Sequence, residues 1–520
     1  MSIKTDAGKW GLIALVWGIL AVVVLGGLWF FRSRSRDSLQ DDTGSESQYK
    51  YEVRVAGDSF SGYCLLRSEA FNTALKQENI RLVYTDDAAD YRARFQALHN
   101  GDVDMAPFPV NSLVELCHTL TMSPATIVLF MDETRGADAM VAYKTAIKTL
   151  DDLNKADVRF VLTPGSPSEY LARVVTSDLD MSNLPKKWIT KADGAEDVYK
   201  RFSKASKSKP AAYVLWEPYI SKALKIPDAH VVFGSDKIKG HIVDALVVRR
   251  KFLTEQPEVV KAFVSAYLKV NYAYSDPAKM QELVRRDAKA AGQALSRDEA
   301  KSIVAGIQWK NTLENYAHFR LLARQESEGL DDVEDIIEKI TKVLRITGVV
   351  SDSSVQAHTL FYNKTLEDLQ ADHFHPKKKI GIIEGAAVDL DAIRADKALP
   401  ALSASQWEQL MAVGKMRVEN LSFGRGTAQL NIQSRRYLEE LAVKLKSMPL
   451  YYLSVVGHAR AEGDPAANLQ LAADRAKTAI EYLVQRQGIS RNRIKAVAAS
   501  PSDEGGSAQS VSFELMQRAY

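Results

Sequence analysis

The sequence predicts an α/β protein in two folded parts, preceded by one transmembrane helix. Three observations support this prediction: an uncharged apolar run near the N-terminus, strands that alternate with helices over residues 51–370, and a shorter run of both over residues 402–520. Alternation of strands and helices is typical of a mostly parallel sheet. A chain of 520 residues is too long for one ordinary domain, and its apolar share of 46% is sufficient for hydrophobic cores.

The apolar run over residues 10–31 contains no charged residue, and about 20 such residues span a bilayer. Tryptophans near both ends suit the two membrane interfaces. The run is longer than the core of a cleaved signal peptide, and it lacks a small-residue cleavage site. We therefore expect residues 1–32 to be an uncleaved signal anchor in a bacterial inner membrane. The polar residues 33–50 are expected to be a flexible linker.

Two observations disagree on the orientation of this anchor. Lys4 and Lys9 precede the span, whereas Arg32, Arg34 and Arg36 follow it, and this count slightly favours a cytoplasmic C-terminal side. Long domains override such a bias. The character of the two folded parts favours the periplasm, and we expect a single-pass protein whose large C-terminal part is periplasmic.

Charge, cysteines and motifs exclude several functions. A net charge of +3 gives no sign of nucleic-acid binding. The two cysteines, Cys64 and Cys117, have no redox or zinc-binding spacing, so two separate buried thiols are favoured over a disulfide. The motifs of metalloproteases, serine hydrolases, P-loops and dinucleotide-binding turns are missing. We expect no enzyme, no catalytic residue, no cofactor and no metal site.

Local patterns define the elements of residues 51–370. The segment "YEVRVAG" alternates like a strand, "SGYCLLRSEAFNTALKQE" has helical spacing, and "IRLVYT" is a second strand. The segment "ALHNGDVDMA" reads as a helix, a turn and the start of a short buried strand. A second strand-loop-helix unit begins with "AMVAYK" at residues 139–144 and continues through "TPGSPSEYL" and "WEPY".

Six of these segments, in order, resemble type 2 periplasmic solute-binding proteins of the nitrate, sulfonate, taurine and thiamine-precursor (NMT1-like) group. They are "SGYCLL", "ALHNGDVDMA", "GADAMVAYKTAIKTLDDL", "TPGSPSEYL", "WEPY" and "DALVVRRKFLTEQPEVVKAFV". The resemblance covers about residues 50–370. It implies two lobes around a ligand cleft, with lobe two at about 143–240. The chain would cross between lobes near 139–144 and return near 242–248, and the lobes would close on a ligand by a hinge motion.

Ligands of such sheets bind beyond the carboxyl ends of strands, where loops lie. The candidate ligand-binding residues share this position: Ser59, Ser61, Tyr63, Asp104, Ser166, Ser168, Trp216 and Glu217. Each also has a structural alternative, since polar residues form loops, turns and helix starts without touching a ligand.

Two of these loops indicate ligand chemistry. Ser166, Pro167 and Glu169 form a predicted capping box, whose free N–H groups suit an anion. Glu169 would oppose an anion there, which weakens the sulfonate and nitrate alternatives. Trp216 and Glu217 would stack on and pair with a cationic or aromatic ligand.

Residues 402–520 resemble the OmpA-like peptidoglycan-binding domain in "LSFGRGTAQL", "VVGH", "YLVQRQGIS" and "RIKAVA". An irregular linker, residues 371–401, is expected before this small α+β domain. We expect its first strand within "VENLSFGRGTAQLN". A helix in "IQSRRYLEELAVKLKSMP", a strand in "YYLSVVGHA", a second helix and two further strands would follow.

The OmpA-like family holds the ammonium and the carboxylate of diaminopimelate with an acid and an arginine. Asn468 and Arg475 match the family's asparagine and arginine, whereas Arg460 stands where the family has its acid. The family's C-terminal Asn-Arg-Arg pattern is also missing. Three alternatives remain: the domain is a scaffold without ligand, Glu462 or Asp474 replaces the acid, or the ligand has changed.

The sequence therefore supports two functions. In the first, a membrane-anchored periplasmic solute-binding protein captures a small molecule for an ABC-type transporter or a sensory complex. In the second, the chain is an envelope scaffold that uses both domains structurally. The expected partners are a small-molecule ligand and the inner membrane, with peptidoglycan and an ABC permease or envelope complex as further candidates; nucleic acid is not expected.

Overall fold

The computed structural model describes residues 49–118, 120, 122–323, 330–351, 356–374, 376, 399–419, 421–424, 426–500 and 511–518. The predicted signal anchor and most of the two predicted linkers lie outside these residues. Within the described part, no helix combines the length and the apolar character that a membrane span requires.

Within the described ranges, fifteen strands form three sheets. In chain order they are β1 (Tyr51–Gly57), β2 (Ile80–Asp86), β3 (Met105–Pro109), β4 (Ala125–Thr134), β5 (Asp138–Tyr143), β6 (Arg159–Leu162), β7 (Ile189–Lys191), β8 (Ala211–Trp216), β9 (Ala229–Gly234), β10 (Val243–Arg249), β11 (Ile307–Trp309), β12 (Leu410–Lys415), β13 (Tyr452–Gly457), β14 (Ile494–Ala498) and β15 (Val511–Arg518).

The α-helices of the described residues pack around these sheets. In chain order they are α1 (Glu69–Gln77), α2 (Tyr91–Asn100), α3 (Val110–Cys117), α4 (Pro167–Asp178), α5 (Gly194–Lys204), α6 (Tyr219–Ala223), α7 (Arg250–Glu255), α8 (Pro257–Ala273), α9 (Pro277–Ala290), α10 (Arg297–Ala305), α11 (Thr312–His318), α12 (Val333–Ile346), α13 (Lys364–Ala371), α14 (Ala404–Glu408), α15 (Ile432–Ser447) and α16 (Pro465–Gln485).

Lobe one is built on a six-stranded sheet of order β11-β4-β10-β3-β1-β2. Strand β1 runs parallel to β2 and β3, whereas β10 runs antiparallel to β3 and β4. Every residue of β4 is buried, because helices cover the sheet and the strand is an almost continuous apolar run. This strand and β10 nevertheless carry acidic residues, which become important at the site.

Lobe two is built on a five-stranded sheet of order β7-β6-β8-β5-β9. The chain passes from β4 of lobe one to β5 of lobe two through residues 135–137, and it returns from β9 to β10 through residues 235–242. Residues 139–143, where the resemblance suggested the first crossing, are thus part of a lobe-two strand. The two lobes together form a mixed α/β unit with two crossing segments.

The C-terminal domain has a four-stranded sheet of order β12-β15-β13-β14. The expectation of its first strand within "VENLSFGRGTAQLN" was wrong, because that strand is β12, which lies upstream and pairs with β15. Among the described residues of the range 417–431, the strand pairing is one isolated bridge between Phe423 and Leu430. The remaining order of helix, strand, helix and two strands agrees with the sequence.

The C-terminal domain packs against lobe two. Arg417 N donates to Asp178 O at 2.8 Å, and Lys444 Nζ lies 3.2 Å from the Asp178 carboxylate. The rings of Phe233 and Tyr451 are parallel, with centroids 6.5 Å apart. One exposed ion pair, between residues 342 and 440, reaches from this domain to α12. The C-terminal domain is therefore joined to lobe two by backbone hydrogen bonds as well as side chains.

Both cysteines are buried and unbridged. Cys64 lies after the first strand of lobe one and Cys117 ends α3. Burial raises the pKa of both thiols, which keeps them protonated and unreactive. The prediction of two separate buried thiols is confirmed.

Candidate functional site

A cavity of about 230 Å³ lies between the two lobes. Lobe one contributes the loop that follows β1, the end of β4 and the turn between α9 and α10. Lobe two contributes the start of β5, the start of α4 and the end of β8. Loops at the carboxyl ends of β1 and β8 thus face one another, which is where open α/β sheets bind ligands.

A larger hollow of about 930 Å³ lies on the outer face of lobe one, between the edge formed by β1 and β2 and helices α8 and α13. It belongs to one lobe, and its charged residues, which include Glu258, Lys261 and Lys269, are of both signs. We take the interlobe cavity as the candidate site because small-molecule pockets favour domain interfaces with converging polar groups.

The wall of the interlobe cavity is acidic and aromatic. Its acids are Asp58, Asp138, Glu196, Glu217 and Asp244. Its aromatic residues are Phe60, Tyr63, Tyr91, Trp216 and Tyr219. Over the part of the chain that the structure describes, no lysine, arginine or histidine lines this wall.

Asp244 lies in β10 and is 2% exposed. The hydroxyl of Tyr63 donates a short hydrogen bond to its carboxylate. Burial raises the pKa of Asp244 to about 7, although the Tyr63 hydrogen bond acts in the opposite direction. Asp132 stands directly opposite in the register of β4, and burial together with the charge of Asp244 raises the pKa of Asp132 far above its ordinary value. The two neighbouring carboxyls therefore tend to retain protons.

Asp138, the first residue of β5, supplies a second buried acid from the opposite lobe. Its Oδ1 accepts a hydrogen bond from Ser168 Oγ at 3.0 Å, and burial raises its pKa to about 7. Asp58 differs because it has a cationic partner: Arg94 Nη2 donates to it at 2.7 Å. Arg94 also pairs with Asp87, so this buried guanidinium is already shared between two carboxylates.

Trp216 and Glu217 form the lobe-two wall at the end of β8. Trp216 is half-buried and Glu217 is 9% exposed. The carboxylate of Glu217 accepts hydrogen bonds from Ser221 N at 3.0 Å and Ser221 Oγ at 2.8 Å. Burial raises the pKa of Glu217 nonetheless. Close to Glu217 in the chain, Lys225 of lobe two forms an ion pair with Glu299 of lobe one and so joins the two lobes.

The structure brings together five of the eight candidate residues on the cavity wall: Ser59, Ser61, Tyr63, Trp216 and Glu217. Ser168 lies behind the wall and bonds to Asp138. Ser166 caps helix α4 and its hydroxyl donates to Thr163 O. Asp104 lies elsewhere, with its carboxylate held by Arg54 and Arg249 at 2.8 and 3.0 Å, so we no longer count it among the ligand-binding candidates.

The predicted capping box at α4 is half correct. Ser166 Oγ accepts from Glu169 N at 3.4 Å, as expected. The carboxylate of Glu169 does not return to the Ser166 backbone, because it accepts from Gly165 N at 2.7 Å and pairs with Arg173. Glu169 is therefore occupied within lobe two.

Sequence reasoning missed the acids of the cavity floor. Asp58, Asp138 and Asp244 were not among the candidates, and neither was Thr134, whose side chain also lines the wall. A signal existed: Asp138 and Asp244 each stand within an otherwise apolar strand, "DAMVAY" and "VDALVVR". A carboxylate is rarely buried in a strand without a structural or functional reason.

In the C-terminal domain, a close approach of α16 to β13 positions Arg475. A Cβ on Gly457 would lie 1.9 Å from Ala472 O, so only glycine permits this packing. The buried guanidinium of Arg475 donates to Thr427 O at 3.1 Å and His458 O at 3.3 Å. Burial lowers the pKa of Arg475.

We call Arg460, Asn468 and Arg475, the residues predicted to hold diaminopimelate, the clasp; Arg460 and Asn468 are less buried than Arg475. Arg460 is exposed, and Asn468 Nδ2 donates to the backbone oxygen of Glu462 at 2.8 Å. Asp474 accepts a hydrogen bond from Gln470. The clasp therefore combines one buried arginine with an exposed one.

Comparison with known proteins gives a family for the last part of the chain. Residues 422–510 match the model of the OmpA family. The chain carries an OmpA domain. This match includes α15, β13, α16 and β14, which are two helices and two of the four strands of the C-terminal domain. A search of curated proteins found no match to the chain.

Solved structures of periplasmic binding proteins are similar to the larger part. A putative sulfonate-binding protein from Methylobacillus flagellatus has 14% identity and a TM-score of 0.47, over 66% of this chain and 99% of that chain. The alkanesulfonate-binding protein of Xanthomonas axonopodis has 13% identity and a TM-score of 0.46, over 61% and 99%. The nitrate-binding protein of Synechocystis has 10% identity and a TM-score of 0.41, over 60% and 91%. The two-lobed architecture rests on the strand order, and these similarities decide nothing about the ligand.

Proposed function

We propose that residues 51–370 form a receptor that captures a small organic molecule in the interlobe cavity. The observation that supports this proposal is the cavity itself, with aromatic and acidic side chains that converge from both lobes. A cavity of about 230 Å³ lies near the lower end of ligand pockets, so we expect a compact ligand. Two crossing segments between the lobes provide the hinge that ligand capture requires.

The surroundings of the receptor are part of the same proposal. Residues 1–32 anchor the chain in the inner membrane, residues 33–50 and 371–401 are linkers, and residues 402–520 form the OmpA domain in the periplasm. A receptor tethered in this way cannot diffuse freely. It is therefore better suited to a dedicated ABC permease or a sensory complex than to the role of a freely diffusing carrier. The sequence of the apolar run and the periplasmic character of both folded parts support this arrangement.

Peptidoglycan is the proposed contact of the OmpA domain, with a weakened clasp. Arg475 occupies the position of the carboxylate-binding arginine, but its buried guanidinium already donates to Thr427 O and His458 O. Arg460 would repel the ligand's ammonium group. A second candidate function, an envelope scaffold, is favoured by the backbone hydrogen bonds that join the OmpA domain to lobe two. In that case both folded parts would act as one structural body.

Intrinsic fluorescence of the full chain tests the receptor proposal. Trp216 lies on the cavity wall, so ligand binding should change its emission during titration with small amines, sulfonates and pyrimidines. The matched control is Trp216→Phe, which should retain binding by calorimetry and lose most of the fluorescence change. If calorimetry detects no binding of any of these compounds, the result favours the scaffold function.

A further inference from the structure

We propose that the ligand of the interlobe cavity is an organic cation, a compact amine or amidine with an apolar or aromatic body. This inference rests on the proposed receptor function and names the class of its ligand. It is carried by the charge of the wall, by one unsatisfied hydroxyl and by the aromatic surface.

The charge of the wall selects against anions. Asp138 and Asp244 are buried and accept hydrogen bonds from the hydroxyls of Ser168 and Tyr63, and Asp244 also interacts with the neighbouring Asp132 carboxyl. Among the described residues, no cationic side chain forms an ion pair with either carboxyl. Arg94 is the nearest buried guanidinium in this network, and Asp58 and Asp87 already engage it. Once these carboxyls ionise, an anion would therefore enter a region of uncompensated negative charge, whereas a cation would compensate it.

Thr134 provides an independent observation. Its side chain lines the cavity and is 2% exposed. Its Oγ1 has no hydrogen-bond partner among the residues that the structure describes. A buried hydroxyl without a hydrogen-bond partner is unfavourable. The N–H group of an ammonium or amidinium ion could donate a hydrogen bond to this hydroxyl oxygen. The hydroxyl thus adds one more hydrogen-bond acceptor to the acidic wall.

The aromatic surface favours an organic cation over a metal ion. Trp216 and Tyr219 on one side and Phe60 and Tyr91 on the other contribute ring surface to the wall. Aromatic faces attract cations and cover apolar groups, and a bare metal ion would use neither property fully. Over the described ranges, no three acid, histidine or cysteine side chains are placed to hold a metal ion.

Protonation of the acids on the cavity floor predicts how the affinity for a cation changes with pH. Asp244 faces Tyr63, Asp132 and Asp58 and feels the charge of Arg94, which acts to lower its pKa. Asp138 faces Ser168 and feels the charge of Asp244, and burial raises the pKa of both acids to about 7. A bound cation displaces the protons that these carboxyls hold near neutral pH. Affinity for a permanently charged amidine should therefore increase between pH 5.5 and pH 8, with at most about tenfold per pH unit for each proton released.

The test uses matched probes that differ in charge and share one body. Calorimetry with the full chain compares benzamidine, benzamide and benzoate, and then phenethylamine, phenethyl alcohol and phenylpropanoate. We expect the cation of a set to bind about tenfold or more tightly than its neutral analogue, and the anion to bind weakest. Tighter binding of a neutral or anionic member would overturn the cation inference and leave the receptor intact. Absence of binding by all six probes would count against the cation inference and the receptor together.

Substitution of the buried acids tests whether they are the groups that attract the cation. Asp244→Asn keeps an acceptor for Tyr63 and removes the charge, and Asp138→Asn does the same for Ser168. Each should reduce the affinity for the best cationic probe about tenfold, flatten its pH dependence and leave the neutral analogue unchanged. Asp228→Asn is the matched control, since Asp228 is a lobe-two acid outside the cavity wall and bonds to Thr145. Equal losses in the control and the cavity variants would overturn the assignment.

Discussion

Replacement of Asp244 by asparagine should stabilise the folded protein at alkaline pH. The substitution keeps the shape of the side chain and the acceptor of the Tyr63 hydrogen bond. It removes a buried negative charge that faces Asp132 across the sheet. Charges of the same sign on opposed strands are unfavourable, and burial adds to the cost.

The magnitude follows from the pKa of Asp244. A folded-state pKa of about 7 against an ordinary value of 3.8 corresponds to a cost of about 4 kcal/mol above pH 7. Asp132 shares this cost, because one proton between the two carboxyls relieves both, and so we expect a gain of about 2 kcal/mol.

The sign of the pH dependence is fixed by the raised pKa. The folded state holds the Asp244 proton more tightly than the unfolded state, so this group's contribution to stability falls as pH rises from about 4 to about 7. Asparagine does not titrate. The gain should therefore be near zero at pH 4 and complete at pH 8.

Thermal unfolding of the full chain at both pH values measures this difference. A gain of about 2 kcal/mol corresponds to an increase in Tm of about 3 °C at pH 8 for a folded unit of this size. Asp228→Asn should give no such gain at pH 8, because hydrogen bonds from Thr145 lower the pKa of the Asp228 carboxyl instead of raising it. A lower Tm for Asp244→Asn at pH 8, or an equal gain at both pH values, would refute the assignment of raised pKa values to the cavity floor.

Three further predictions concern other parts of the chain. Arg460→Asp should replace a charge that repels the ligand's ammonium group by an acid and, because position 460 is exposed, improve binding of diaminopimelate by about 1 kcal/mol in a titration, whereas tight binding by the unmodified chain would contradict our account of the clasp. A phosphatase fused after residue 520 should be active if the C-terminal part is periplasmic, and an inactive but intact fusion would show the opposite orientation. Asp104→Ala should destabilise lobe one by about 2–3 kcal/mol in denaturant unfolding, because Arg54 and Arg249 lose their buried partner; altered benzamidine affinity in this variant would contradict its position outside the cavity.

The local elements of lobe one could be predicted because their patterns are unambiguous. The alternation in "YEVRVAG" coincides with β1, Tyr51–Gly57, since one face of that strand is buried. Trp216 and Glu217 reached the cavity wall because residues at the carboxyl end of a strand enter the loop that meets a ligand. The sequence thus allowed us to predict which residues lie at the ends of strands.

The acids of the cavity floor could not be predicted in the same way. Asp132 and Asp244 become neighbours only through the register of β4 and β10, and no local pattern encodes that register. Asp138 joins them because the chain changes lobes just before β5. In the OmpA domain, the apolar residues after Val418 have the pattern of a strand. Those that the structure describes do not join the sheet, because β12, which lies earlier in the chain, pairs with that edge of β15.

The attachment of the OmpA domain to lobe two has a mechanical consequence. The chain enters lobe one at Tyr51, whereas the OmpA domain is fastened to the other lobe through Asp178 and its neighbours. If the N-terminus is held in a membrane and the OmpA domain on the cell wall, tension between these two layers acts across the crossing segments. Stretching of the envelope would then pull the lobes apart and release the captured molecule, and a bound molecule would resist that stretching with its own binding energy.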